Sequence, residues 1–266
     1  MMSDPFHQRF GGTARLYGLD GLELFRRSHV AVIGIGGVGS WVAEALARSG
    51  IGEITLIDLD DVCITNTNRQ IHALSSTIGQ SKVAVMAERI RDINPDCLVH
   101  EVEAFASREN LDELLHEDLN YVVDAIDSVK DKAAVIAWCK RRKVPVITIG
   151  GAGGQIDPTL IRVADLTRTR TDPLAAKVRS FLRRHYRFSS SGRRFAVECV
   201  YSEEQLRYPQ PDGRVCQQKS VMENGTRLDC AGGFGATTVV TATFGFVAVS
   251  RVLKKLQERA AREQSA

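Results

Sequence analysis

Residues 29–39 read His29-Val30-Ala31-Val32-Ile33-Gly34-Ile35-Gly36-Gly37-Val38-Gly39, an apolar run passing directly into four glycines. A strand inside a parallel sheet is covered on both faces, so it reads as a continuous apolar stretch rather than an alternation. His29 to Ile33 is therefore expected to be a buried strand, and Ser40 to Ser49 a helix. The glycine spacing GxGxxG between them is the one at which backbone N–H groups and a helix N-terminus hold phosphate. Glu53 to Ile57 reads as a second strand, and Asp58 ends it about 20 residues on, where an acid can accept from ribose hydroxyls. A nucleotide site follows from this combination. A glycine turn serving only strand–helix packing stays open, and the motif does not separate a nicotinamide enzyme from an ATP enzyme.

Working outward, the alternation continues. Lys82 to Ile93 is amphipathic, with Val83, Met86, Ala87 and Ile90 on one face, and stops before Asn94-Pro95. Cys97 to Val102 and Tyr121 to Ala125 read as strands, Asp131 to Arg142 as a helix, and Val144 to Ile149 as a strand entering Gly150-Gly151-Ala152-Gly153-Gly154. Strands and helices in turn predict an α/β fold, a doubly wound, mostly parallel Rossmann-like sheet, in a single domain spanning 1–266. Near Leu166 the pattern loosens, and approximately 166–230 reads as a basic insertion facing the substrate. From Leu166 to Arg194, Arg168, Arg170, Lys177, Arg179, Arg183, Arg184, Arg187, Arg193 and Arg194 meet a single acid, Asp172. Ser189-Ser190-Ser191-Gly192 within it reads as a loop. Ala231 to Ser250 carries no charge, which invites comparison with a membrane span. Its glycines and threonines favour a loop entering a buried C-terminal helix, with Lys254 and Lys255 opening its solvated end.

The bulk numbers suit a globular enzyme: 266 residues, 44% hydrophobic, 25% charged, net charge +3. Six cysteines without a CxxC pair, behind a polar N-terminus with no apolar leader core, indicate reduced thiols and a cytoplasmic location. The missing CxxC argues against a zinc ribbon, and the glycines and threonines of the uncharged run argue against association with a membrane through 231–252.

The stretch after Asp58 narrows the chemistry. Asn66-Thr67-Asn68-Arg69-Gln70 precedes Gly79-Gln80-Ser81-Lys82. A dehydrogenase has no general need for an arginine and a lysine behind its ribose acid. Nucleotidyl transfer does, because charge moves among three phosphates and a departing pyrophosphate. Arg69 suits the β- and γ-phosphates and Lys82 the α-phosphate. Asp124 and Asp127 fall at the C-terminal end of a parallel strand, where open sheets bind ligands; Asp127 suits the Mg²⁺ accompanying ATP. Arg69 as a surface ion-pair residue, Lys82 as an exposed helix lysine, and Asp127 as a helix N-cap are the plain alternatives.

These motifs resemble the ubiquitin-activating-enzyme-like superfamily, whose bacterial members include the ThiF and MoeB adenylyltransferases. The resemblance implies nucleotide binding at Gly34, Gly36, Gly37, Gly39, Asp58 and Asn66, with Arg69, Lys82 and the metal-binding Asp127 as the catalytic set and ATP with Mg²⁺ bound. Two departures stand out: the CxxC zinc site is absent, and the position of an N-terminal arginine reaching the partner subunit's ATP is Gly12, which leaves that role to Arg9 or Arg15. Gln8 to Gly18, Thr65 to Leu74, Gly150 to Pro158 and Leu228 to Ala231 are similar to the bacterial tRNA threonylcarbamoyladenosine dehydratases. That likeness implies a homodimer that activates a carboxylate as an acyl adenylate and closes a ring with net loss of water. It also implies a link to a cysteine desulfurase system, with Cys230 as a thioester or sulfur-carrying residue or simply a buried small one. The basic residues Arg179, Arg183, Arg184, Arg187, Arg193 and Arg194 then become candidate contacts to tRNA phosphates. Adenylation of a ubiquitin-like sulfur carrier, and a non-catalytic ATP-binding relay scaffold, are the competing functions.

Overall fold

The computed structural model describes residues 4–210, 212–217 and 234–264. Two N-terminal helices, α1 (Pro5–Tyr17) and α2 (Leu19–Arg26), lead into a seven-stranded sheet. Its strands are β1 (His29–Ile33), β2 (Glu53–Ile57), β3 (Leu98–Val102), β4 (Tyr121–Asp124), β5 (Val146–Ile149), β6 (Ile161–Asp165) and β7 (Glu198–Ser202), in spatial order β3-β2-β1-β4-β5-β7-β6. All neighbours are parallel except β6, which pairs antiparallel to β7 at the edge. Strand order reverses between β1 and β4, so the two loops leaving them splay apart and open a crevice at the carboxyl ends.

Helices cover both faces, as the continuous apolar strands require. α3 (Gly39–Arg48), α4 (Lys82–Ile93) and the long α8 (Thr238–Gln264) pack on one face against Val30 and Val32. The short α5 (Leu111–Leu114), α6 (Val129–Arg142) and α7 (Pro173–Tyr186) pack on the other, against Ala31 and Ile33. A small hairpin of β8 (Tyr208–Pro209) and β9 (Val215–Cys216) lies outside the sheet. The termini have local causes. α4 stops at Asn94, whose side chain donates to Ile51 O at 3.1 Å in the core, with Pro95 excluding a further helical turn. α7 starts at Asp172, whose carboxylate accepts from Ala175 N and from Gly151 N, both at 2.9 Å. That residue is a helix cap and a tie to the glycine run after β5 at once.

The doubly wound expectation holds, with one correction. The region read as an insertion from 166 is not separate from the sheet: it supplies β7, which sits beside β5, and α7, which packs on α6. Five-residue strands flanked by arginines carry too little periodicity to stand out. α8 buries Val240, Phe244, Ala248, Val249 and Val252, which accounts for the uncharged run as core helix. Among the described residues no helix is long and apolar enough to cross a membrane.

Candidate functional site

The glycine loop divides by role. Gly34 sits at φ 86°, a left-handed conformation open to glycine at little cost. A Cβ on Gly39 would lie 1.7 Å from Gly34 O, so that glycine is demanded by the turn itself. Gly36 and Gly37 differ: a Cβ on Gly36 meets nothing nearer than 4.0 Å, and one on Gly37 meets the aliphatic part of Arg69 at 3.4 Å and the Thr241 methyl at 3.6 Å, both ordinary contacts. The fold does not need glycine at these two positions, which leaves the close approach of a ligand as the reason for them. Asp58 is already anchored there, accepting from Ile35 N at 2.6 Å and from Asp60 N at 2.9 Å.

Lys82 is not an exposed helix lysine. It is 5% exposed, and its ammonium donates to Asp60 Oδ2 at 2.7 Å and lies 4.0 Å from Asp58 Oδ1. A two-stranded contact sets this up: Lys82 N donates to Asp60 O, Val62 N to Gln80 O and Gly79 N to Val62 O, with Gly79 at φ 84°. The turn Gly79-Gln80-Ser81 thus delivers the first residue of α4 to the end of β2. Asp60, to which the sequence assigns no role, is the counter-ion that holds Lys82 in place. Its carboxylate is 57% exposed, so the pair can open toward an incoming anion.

Arg69 makes no ion pair among the described residues. Its Nη1 donates to Thr65 O at 2.7 Å and Asn68 Oδ1 at 3.0 Å, and its stem lies along Gly37. Its backbone carbonyl accepts from Trp41 Nε1 of α3 at 3.0 Å. Asn68 Nδ2 donates to Ala236 O at 2.7 Å, and Thr238 Oγ1 donates to Asn68 O at 2.6 Å. The start of α8 therefore fixes the arginine turn, a contact across some 170 residues that no local motif announces. Asn66 is 4% exposed and its Oδ1 accepts from Cys63 N at 3.0 Å, closing the 3-10 turn Ile64–Asn66. Its amide oxygen is used by the protein rather than offered to a nucleotide.

The two aspartates after β4 part company. Asp124 is wholly buried, bonded to Lys132 Nζ at 2.9 Å and Thr148 Oγ1 at 2.6 Å. Burial pushes its carboxyl up, with Lys132 and Thr148 pulling it down. It is a structural ion pair beneath the crevice floor. Asp127 is exposed and has no hydrogen bond or ion pair among the described residues. It is not the N-cap of α6, which is Ser128, whose Oγ donates to Asp131 at 2.6 Å. A free carboxylate at this position fits a hard divalent cation that also takes oxygens from phosphates. Adjacent strands are about 4.8 Å apart, so the ends of β2 and β4, flanking β1, lie about 10 Å from each other, the width of a nucleotide's phosphates. The arrangement can grip a polyphosphate over Gly36 and Gly37, between Lys82 on one side and Asp127 on the other.

The arginine-rich segment separates likewise. Arg179 is half-buried, and its guanidinium is turned inward to Leu166 O, Thr169 O and Thr169 Oγ1. It staples the start of α7 and is withdrawn from the candidate RNA contacts. Arg183, Arg184, Arg187, Arg193 and Arg194 are exposed. Arg183 lies over the Phe195 ring at 5.6 Å. Beside them stands a set the sequence reading missed, the end of α6: Arg141 lies over Tyr186 at 5.6 Å, and Lys140 Nζ approaches Ala196 O at 3.4 Å. Arg142 differs, being paired with Asp112 and Glu117. Arg9 and Arg15 are exposed on α1, as is Gly12. Cys230 lies outside the described residues; the described cysteines are all free.

Three comparisons bear on this geometry. The model of the ThiF family matches residues 12–266. The tRNA threonylcarbamoyladenosine dehydratase of Escherichia coli (strain K12) is 58% identical over 264 residues, covering 99% of this chain and 98% of that protein. Solved structures of the E. coli dehydratase, one in complex with ATP and one with AMP, superpose with a TM-score of 0.87 at 55% identity, covering 98% of this chain and 99% of theirs. The molybdopterin-synthase adenylyltransferase of the same organism is 33% identical over 134 residues, half of this chain.

Proposed function

The chain belongs to the ThiF family, and on that premise we propose that it is an ATP-dependent tRNA threonylcarbamoyladenosine dehydratase that works through an acyl adenylate. The observation that carries the reading is the pairing of an arginine that has no counter-ion among the described residues, laid along Gly37, with a buried lysine held beside Asp58. A free carboxylate is a poor electrophile because oxide would have to leave. Its oxygen attacks the α-phosphorus of ATP, the bond to the bridging oxygen breaks, and pyrophosphate departs. A nucleophile within the modified nucleoside then attacks the activated carbonyl and AMP leaves, so the sum is loss of one water from the nucleoside.

Arg69 holds the β- and γ-phosphates and neutralises the departing pyrophosphate; Lys82 exchanges Asp60 for the α-phosphate, where charge builds in the transition state. Asp58 accepts from the ribose, and Asn66 fixes the turn that presents Arg69. Asp127 would hold Mg²⁺, whose charge lowers the repulsion between carboxylate and phosphates. With the nucleophile inside the substrate, positioning supplies much of the acceleration. Similarity over nearly the full length favours this reading over adenylation of a sulfur carrier, where likeness spans half the chain. The test incubates purified protein with ATP and tRNA carrying the threonylcarbamoyl group. The nucleoside should lose one water in step with AMP. ADP, or turnover without change in the nucleoside, contradicts it.

The tRNA contact we assign to one basic face built from two helix ends: Arg183 and Arg184 in the last turn of α7 with Arg187 capping it, Lys140 and Arg141 at the end of α6, and Arg193 and Arg194 in the loop after α7. These charges act on phosphates without reading sequence, so affinity should fall steeply with salt. Replacing Arg183, Arg184 and Arg187 by Gln should weaken tRNA binding and flatten its salt dependence, with ATP affinity unchanged; an unchanged slope removes the face from the account. Leu16 at the end of α1 and Leu19 at the start of α2, 84% and 65% exposed, fit a homodimer contact through this corner that brings Arg9 or Arg15 of α1 to the partner's ATP.

A further inference from the structure

At the opposite end of the sheet from the glycine loop, three side chains from three neighbouring strands converge. His29 opens β1, Glu53 opens β2, and His100 lies on the edge strand β3, all projecting on the face that α5 and α6 leave uncovered at this corner. Their ligand atoms lie within 4.8 Å of one another, and no ion is present. Glu53 Oε1 is 3.5 Å from His29 Nδ1 and 2.8 Å from His100 Nε2. The geometry points to a binding site for a zinc-class divalent cation, held by His29 Nδ1, Glu53 and His100 Nε2, which ties the edge strand to the centre of the sheet.

The local chemistry supports this assignment. Two imidazoles and a carboxylate are the donor set that zinc takes in open three-ligand sites, at about 2.0–2.2 Å per ligand, which in tetrahedral geometry sets ligand atoms about 3.3 Å apart. The separations here bracket that value, so rotamer adjustment of two side chains suffices. The other nitrogen of His29, Nε2, lies 2.8 Å from Thr55 Oγ1, an outer partner that orients the ring with Nδ1 toward Glu53. An open three-ligand site of this kind leaves the fourth position to water.

The site is structural rather than catalytic. Five residues of extended strand separate His29 from Gly34, about 16 Å at about 3.3 Å each. A cation here cannot touch the triphosphate. What it can do is pin β3, whose outer edge is unpaired among the described residues and whose Leu98 is 55% exposed.

The test uses the untagged full chain, stripped with chelator and titrated with Zn²⁺ by calorimetry, with Co²⁺ absorption as a report on coordination. The expected result is one Zn²⁺ per chain with a Kd of about a micromolar or tighter. The Co²⁺ spectrum should be tetrahedral, and Zn²⁺ should raise the thermal midpoint. His100→Ala and Glu53→Gln, both at partly exposed positions, should each weaken binding at least tenfold and abolish the rise. Thr55→Val should weaken it about tenfold through the outer partner. No saturable uptake, or uptake that persists in both His100→Ala and Glu53→Gln, overturns the assignment and leaves the cluster as a hydrogen-bonded His–Glu–His group.

Discussion

Gly36→Ala and Gly39→Ala should behave as opposites although they lie three residues apart in one motif. On Gly39 the new Cβ falls 1.7 Å from Gly34 O, roughly half a normal contact, and the obstacle is backbone. Relief requires moving the strand–helix junction, so a loss at or above the 1–3 kcal/mol of ordinary overpacking is expected, against about 5–15 kcal/mol of total stability. On Gly36 the nearest atom is 4.0 Å away and φ is not positive. Alanine there should leave stability unchanged or raise it by up to about 1 kcal/mol through reduced freedom of the unfolded chain. The methyl group instead occupies the space assigned to the phosphates. ATP affinity should fall at least tenfold, about 1.4 kcal/mol. Thermal unfolding with and without ATP separates the two: Gly39→Ala lowers the midpoint in both conditions, and Gly36→Ala keeps it but loses the increment that ATP adds. A Gly36→Ala protein that binds ATP as tightly as the parent would show that no phosphate approaches this loop.

Three further outcomes are expected. Lys82→Met keeps the buried stem, and Asp58 keeps its bonds from Ile35 N and Asp60 N; the fold should persist while AMP formation slows by about 10²–10³, and a loss under tenfold would remove Lys82 from the transition state. His72 is 1% exposed, neither ring nitrogen has a partner among the described residues, and burial, with Lys82 and Arg89 adding, lowers its pKa from 6.5 to about 4. Its folded pKa is depressed, so the neutral ring's contribution is present above pH 6.5 and lost as pH falls toward 4, about 3 kcal/mol in all. Denaturant unfolding across that window should show the loss, and His72→Leu should flatten it; equal slopes would contradict the assignment. Lys143 ends α6 in the left-handed region at φ 59°, a conformation better suited to glycine. Lys143→Gly should stabilise by about 0.5–1 kcal/mol, a rise of about 2 °C in thermal midpoint, and a fall would show the lysine side chain to be holding the turn.

What the sequence disclosed follows from what is local. β1, β2 and α4 have the bounds their residues indicate, because an apolar run between polar ends, or a helical stripe closed by Asn94-Pro95, contains its own limits. Gly34 to Gly39, Asp58, Arg69 and Lys82 could be singled out because their spacing follows two successive strand–loop–helix units. The side chains that tune them were not. Asp60 counters Lys82 through a fold-back of the chain, and Ala236 and Thr238 hold the Arg69 turn from the far end of the sequence. Arg179 illustrates the reverse error: in a run of cations it looks like its neighbours, and only its inward carbonyl partners set it apart. Lys140 and Arg141 were passed over because they end a different helix, and packing of α6 on α7 makes them part of one face.

The central claim is that the substrate carboxylate attacks the α-phosphorus, and an isotope reports it directly. With heavy oxygen in the carboxylate of the threonylcarbamoyl group, each AMP released should carry one labelled oxygen on its phosphate, transferred as the adenylate forms and breaks. Unlabelled AMP, or label found in inorganic phosphate beside ADP, would contradict adenylation by this site.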